Sequence, residues 1–189
     1  MKNILLISQK GGTGKTQISA EIVRSLQRTS TPSALFDIDQ QGGILDPYKD
    51  EGAIVAVIDS PGQLQRQMNE WVKSSDVIVI PCRSSRQDIK PLLRTLQIVT
   101  DSKKPDTKLF IVLNCFNPRF NSSKDFLSSI RKLNTGAQIL TLPESQIFVQ
   151  AASMQKSAID YKPKSDPARA ALILVNAIRE AVGLPKETI

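Results

Sequence analysis

The stretch Gln9-Lys10-Gly11-Gly12-Thr13-Gly14-Lys15-Thr16, directly after the apolar run Ile4-Leu5-Leu6-Ile7, sets the first bound on this fold. A short apolar run reads as a buried strand. A glycine-rich turn followed by a helical pattern gives strand, turn, helix. Backbone N–H groups of such a turn point inward, and the helix N-terminus adds partial positive charge, so the combination cradles phosphate. Lys15 is placed to reach β- and γ-phosphates, and the Thr16 hydroxyl to ligate Mg²⁺. The general pattern G-x-x-x-x-G-K-[ST] asks for glycine at position 9. This chain has Gln9 there, with a second lysine, Lys10, at the loop entrance.

The rest of the pattern alternates apolar strands with helical spacing, which predicts an α/β fold with a mostly parallel sheet. Expected strands are 4–8, 33–36, 54–58, 76–81 (closed by Pro81), 108–114 and 138–142. Ile18, Ile22, Val23 and Leu26 predict a helix over 14–28. Ile89, Leu92, Leu93, Leu96 and Val99 predict another, with further helices over 126–133 and 167–182. At 189 residues with no linker or repeat, a single domain spanning 1–189 is expected. Asp37, Asp39 and Asp59 fall just beyond strand ends, as does the glycine loop. In open α/β sheets that edge binds ligands. A pair of acids ending a buried strand is costly without a cation nearby, although Asp37 and Asp39 could also cap the following turn.

These residues resemble the ParA/MinD family of deviant Walker A ATPases. Three motifs carry the resemblance: Lys10 to Thr16, then Phe36-Asp37-Ile38-Asp39-Gln40-Gln41-Gly42, then Val57-Ile58-Asp59-Ser60-Pro61-Gly62. The resemblance implies a P-loop NTPase-like fold with helices on both faces of a twisted sheet, and ATP and Mg²⁺ as cofactors. Gly11, Gly12, Thr13, Gly14, Lys15, Thr16 and Gln17 would bind nucleotide. Thr16, Asp37 and Asp59 would serve the metal, and Gly62 would sense the γ-phosphate. Asp39 would orient or deprotonate the attacking water. Lys10 would reach across a nucleotide-sandwich dimer to the partner's ATP, making Lys10, Lys15 and Asp39 the catalytic set. Asn114 and the Pro143 region lie where relatives contact adenine. Pro81 to Asp88 is similar to the family segment after the fourth strand, with Asp88 as a candidate helix cap.

Net charge is +7 and uneven. Residues 1–75 hold 8 Lys/Arg against 8 Asp/Glu. Residues 76–189 hold 17 against 10, so the whole excess lies there. A basic half attracts polyanions, or only keeps the protein soluble. Within the resemblance, the expected function is a DNA-segregation ATPase like compact plasmid-type ParA proteins without an N-terminal DNA-binding domain. It would form an ATP-dependent homodimer, bind DNA non-specifically and answer to a ParB-like centromere-binding partner. Candidate DNA contacts are Arg83, Arg86, Lys90, Arg94, Lys103, Lys104, Lys156, Lys162, Lys164 and Arg169. Alternatives are a MinD-like membrane-associated positioning ATPase and an accessory ATPase of plasmid stability or conjugation. The C-terminal stretch carries few positive charges for a membrane anchor, so no membrane partner is expected. With no signal-like segment at the start, a cytoplasmic protein is expected, nucleoid-associated when ATP-bound. Cys82 and Cys115 are expected to be buried thiols. Without histidine they make neither a usual zinc site nor the cysteine pairs of an iron–sulfur relative.

Overall fold

The computed structural model describes residues 1–38, 46–61 and 68–188. In chain order the elements are β1 (Lys2–Leu6), α1 (Lys15–Arg28), β2 (Ser33–Asp37), β3 (Tyr48–Lys49), β4 (Val55–Asp59), α2 (Met68–Ser74) and β5 (Val77–Arg83). There follow α3 (Arg86–Ser102), β6 (Lys108–Phe116), α4 (Asn121–Lys132), β7 (Gln138–Pro143), α5 (Gln146–Ser153), α6 (Ala158–Tyr161) and α7 (Asp166–Ala181). The strands form one sheet in the order β3-β2-β4-β1-β5-β6-β7. All pairings are parallel except that of β3 with β2.

The period-2 alternation of β1 divides the core. Ile4 and Leu6 join α1 and α7 on one face, through Ile18, Ile22, Leu26, Leu174 and Ile178. Leu5 and Ile7 join α2, α3 and α4 on the other, through Val72, Leu92, Leu96, Phe126 and Ile130. Each such side chain contributes roughly 1.5–3 kcal/mol by leaving water, and the two clusters fix the central strands from both sides.

The sheet is an open α/β sheet whose strand order reverses beside β1. From β1 the chain moves to β2 and β4 on one side, then crosses to β5, β6 and β7 on the other. That crevice, at the C-terminal end of β1, is where such sheets bind ligands. The glycine loop occupies it.

Several boundaries differ from the sequence reading. The fourth expected strand does not close at Pro81 but runs on through Cys82 to Arg83. Val79 turns its carbonyl to β1, accepting from Ile7 N at 3.0 Å, and Pro81 shares its parity. The ladder with β1 ends at Leu6 opposite Val79, so no donor is needed on that side at Pro81. The helix expected over 126–133 begins earlier, at Asn121. Asp88 is not the cap of α3. Ser85 holds that position, and Asp88 lies in the first turn. Cys82 is buried as expected, but Cys115 is only half-buried.

Candidate nucleotide-binding site

The loop backbone is held from several sides. Lys10 N donates to Ser8 Oγ at 3.3 Å, and the Thr13 hydroxyl donates to the Lys10 carbonyl at 3.4 Å. Asn114 Nδ2, at the end of β6, donates to the Thr13 carbonyl at 3.1 Å. Gly14 is the N-cap of α1 with φ +99°, and a Cβ there would stand 2.0 Å from Asn114 Nδ2. Only glycine fits that close approach in that backbone region. Gly14 offers no capping side chain to α1, and the first turn carries no acid. The free N–H groups and the helix field are therefore left to an anion. Lys15 is buried beside them.

Two acids meet at neighbouring strand ends. Asp37 and Asp59 are register partners at the tips of β2 and β4. Asp59 is 2% exposed. Its Oδ2 accepts from Ser19 Oγ at 3.2 Å. Burial raises its pKa to about 6, against the pull of Thr16, Lys15 and Ser19, while the Asp37 charge adds to the rise. Among the described residues, Asp59 Oδ1, Ser60 Oγ and Gln17 Nε2 are buried without a hydrogen-bond partner. Orphaned polar atoms are rare in folded proteins. Two of these, on Asp59 and Ser60, stand at the end of β4.

That donor set fits Mg²⁺ with a phosphate ligand. One hydroxyl, one carboxylate and substrate oxygens suit the ion, which keeps several waters. Among the described residues no group of three or more His, Cys, Asp or Glu is gathered.

The structure also places residues that the sequence marked without a partner. Lys10 Nζ forms an ion pair of 3.0 Å with Asp88 Oδ1 on α3. Gln9 N donates to Thr95 Oγ1, also on α3, at 3.3 Å. Pro143 ends β7 opposite Phe116 of β6, on the same sheet edge as the loop. Gly11 and Gly12 lie in the loop with open space where a Cβ would stand. Asp39 and Gly62 lie outside the described residues. Ser19 was missed by the sequence reading. Its signal is a small polar residue between Ile18 and Ile22 on the buried side of α1, three positions after Thr16.

The ten basic candidates do not share one face. Arg86, Lys90 and Arg94 are exposed on α3, with Arg83 just before it, and Lys103 and Lys104 follow the far end of that helix. Lys156, Lys162, Lys164 and Arg169 surround α6 and the start of α7, on the opposite face of the sheet. Arg169 is partly neutralised by Asp166.

A parallel sheet with a glycine loop at its switch point, a buried lysine and a hydroxyl–carboxylate pair defines a P-loop nucleotide-binding protein. The match to the nucleotide-binding domain model of the CobQ/CobB/MinD/ParA proteins covers residues 4–158, and the chain belongs to that family of nucleotide-binding ATPases. Among curated proteins none matches the sequence. The fold is similar to that of McdA from Cyanothece in complex with ATP, with TM-score 0.78 and 16% identity over 100% of this chain and 99% of that one. It is also similar to MinD from Pyrococcus horikoshii with Mg-ADP (TM-score 0.70, 17% identity, 100% and 99% covered). A third is cobyrinic acid a,c-diamide synthase from Mycobacterium smegmatis with ADP and magnesium (TM-score 0.69, 17% identity, 100% of both chains).

Proposed function

We propose that this protein is a Mg²⁺-dependent ATPase of the ParA type, acting in DNA segregation as an ATP-clasped homodimer on non-specific DNA. The observation that carries the catalytic part is Asp59. It is a buried carboxylate with one oxygen bonded to Ser19 and the other orphaned, beside the Thr16 hydroxyl and the glycine loop. Thr16 and Asp59 would hold the metal, with Asp37 beside them in support. Mg²⁺ held there would offset the negative charge of the triphosphate. Gly11, Gly12 and Gly14 let the backbone wrap the phosphates, and Lys15 compensates their charge. Gln17 has a buried, unpartnered amide donor next to Thr16 to offer. Asn114 steadies the loop from β6 and reaches the adenine side with Pro143.

For hydrolysis, Asp39 takes a proton from water as its oxygen bonds the γ-phosphorus. The β–γ bridge bond breaks, leaving ADP and phosphate. Lys10 of the opposite subunit meets the charge that builds on the γ-oxygens. Gly62 reads whether that phosphate is present. The DNA and partner assignments rest on the basic second half and on the resemblance of the motifs. A membrane-positioning role draws no support from residues 184–188. They are tied to the body through Leu184 N to the Arg179 carbonyl (2.8 Å) and both backbone groups of Glu187 to Asn176.

DNA binding measured with ADP, ATP and a non-hydrolysable analogue, at two salt concentrations, tests this reading, with sizing in the same buffers. ATP-dependent, salt-sensitive retention by a dimer is expected. Retention indifferent to nucleotide and salt would remove the segregation role, and binding to anionic vesicles instead would favour the membrane alternative.

A further inference from the structure

α3 and α4 lie on the same face of the sheet, where Leu92, Leu96, Phe126 and Ile130 join one core cluster. The seam between them stays open. Ile89, Leu92 and Leu93 from α3 and Phe126, Ile130 and Leu133 from α4 line a groove, with Ser129 its one polar residue. Ile89, Leu93 and Leu133 are 37%, 42% and 42% exposed. Single exposed apolar residues are ordinary, but three along one groove with buried apolar walls mark a contact surface. The groove encloses about 60 Å³, far below the roughly 300–1,000 Å³ of small-molecule pockets. It suits single apolar side chains, as a docked helix presents them.

Charge selects the occupant. Arg86, Lys90 and Arg94 recur every four residues on α3 and form the ridge next to Ile89 and Leu93. All three are exposed, and among the described residues none is paired with an acid. Arg131 and Lys132 are exposed at the end of α4, next to Leu133. The exposed acids of the two helices are Asp101, in the last turn of α3, and Asp125 on α4. An apolar seam with a positive rim complements a helix whose apolar stripe is flanked by Asp and Glu. A second copy of this chain would bring the same positive ridge against its own, and like charges oppose that contact. Duplex DNA offers phosphates but no apolar stripe to cover Leu93 and Leu133.

We propose that the α3–α4 groove docks an acidic amphipathic helix of a partner protein. Apolar side chains at i, i+3 and i+4 of that helix seat against Ile89, Leu93 and Leu133, and its carboxylates face Arg86, Lys90 and Arg94. The groove shares no lining residue with the nucleotide site, so the surface stands apart from the ATPase reading.

A displayed library of short helical peptides tests this. Its members are apolar at i, i+3, i+4 and i+7, with Glu, Gln or Lys allowed elsewhere. It is selected on the full chain with and without a non-hydrolysable ATP analogue. Enrichment of Glu over Lys is expected in both states. A synthesised winner should shift the methyl resonances of Ile89, Leu93 and Leu133. Leu93→Asp should weaken its binding by about tenfold, and the milder Leu93→Ala should act in the same direction. Lys90→Glu with Arg94→Glu should invert the selection, so that Lys-rich helices are enriched, which loss of structure alone would not do. Enrichment without acidic bias, or methyl shifts away from the groove, overturns the proposal. Shifts at these methyls from a DNA duplex, from phosphatidylglycerol vesicles or from raised protein concentration, with no acidic helix enriched, give the groove to another occupant and overturn it too. A chain that takes the acidic helix but no nucleotide keeps this inference and loses the ATPase reading. One that binds nucleotide and enriches no helix loses this inference alone.

Discussion

Glu21 is 3% exposed on α1, with Oε1 accepting from Ala158 N at 2.8 Å and Oε2 buried without a partner among the described residues. Burial raises its pKa to about 7, opposed by the Ala158 bond and by Arg28. A carboxyl raised in the folded state binds its proton more tightly there than in the unfolded chain. Its stabilising contribution is complete below the unfolded value of 4.5 and is lost as pH rises through about 7. Glu21→Gln should flatten the stability–pH curve across that window. It should leave the variant more stable above pH 8, by up to about 3 kcal/mol from the size of the shift. Urea denaturation at pH 5 and pH 8 checks this, and equal slopes for both proteins would refute it. Gly14 makes a second residue-scale case. Alanine there must adopt φ +99° and place Cβ 2.0 Å from Asn114 Nδ2. The backbone term alone is about 1–3 kcal/mol. Gly14→Ala should therefore lose nucleotide affinity and stability together. Gly14→Ala with Asn114→Ala should regain only the steric part, as urea midpoints would show.

Among the elements, the long ones followed from periodicity, because each has a face that must be buried. Ile18, Ile22 and Leu26 on α1 and Leu92, Leu96 and Val99 on α3 could go nowhere else. The short ones did not follow, because their partners are distant in sequence. β3 is two residues long, held by pairing with β2 and by Tyr48 Oη meeting Ser33 Oγ at 2.8 Å. α6 is four residues, secured by the Ser157–Asp160 capping box and by Glu21 from α1. The site shows the same division. The glycines, Lys15, Thr16 and Asp59 could be placed from spacing. The ties of Lys10 to Asp88 and of Asn114 to Thr13 span 78 and 101 positions and needed the fold. The segment after α7 is a further case. Glu187 is 6% exposed, accepts from Ser25 at 2.6 Å and pairs with Arg28, while its backbone exchanges two bonds with Asn176. Breaking a buried pair from one side costs roughly 3–5 kcal/mol. Here Arg28 keeps Asp160, so Glu187→Ala should fall at or below the low end of that range. Melting temperature should drop while affinity for ATP stays unchanged, since these contacts lie at the C-terminal end of α1, away from the loop.

Across the whole molecule, charge separates what the sheet keeps apart. The +7 excess belongs to the second half of the chain, and the fold sends it to opposite faces, α3 on one and the α6–α7 corner on the other. A flat stretch of duplex cannot touch both faces of one subunit, so the two groups have separable effects. Lys156, Lys162 and Lys164 around α6 are exposed, and among the described residues neither they nor Arg86, Lys90 and Arg94 on α3 are paired with an acid. On α3, Arg86, Lys90 and Arg94 are exposed on the helix whose buried Asp88 pairs with Lys10, and we propose this helix as the partner's contact. We propose the α6–α7 corner as the face that takes DNA, and a pair of double variants tests it. Non-specific affinity falls with salt at a slope of about 0.9 per phosphate neutralised. Removing two of these lysines, as Lys162→Ala with Lys164→Ala, should lower the slope of log K against log salt by about 1.8. Lys90→Ala with Arg94→Ala should leave that slope unchanged and reduce stimulation by a partner instead. The two double variants, titrated on the same duplex from low to moderate salt with a non-hydrolysable ATP analogue, decide between the faces. A slope lost from the α3 pair and kept by the α6–α7 pair would reverse the assignment.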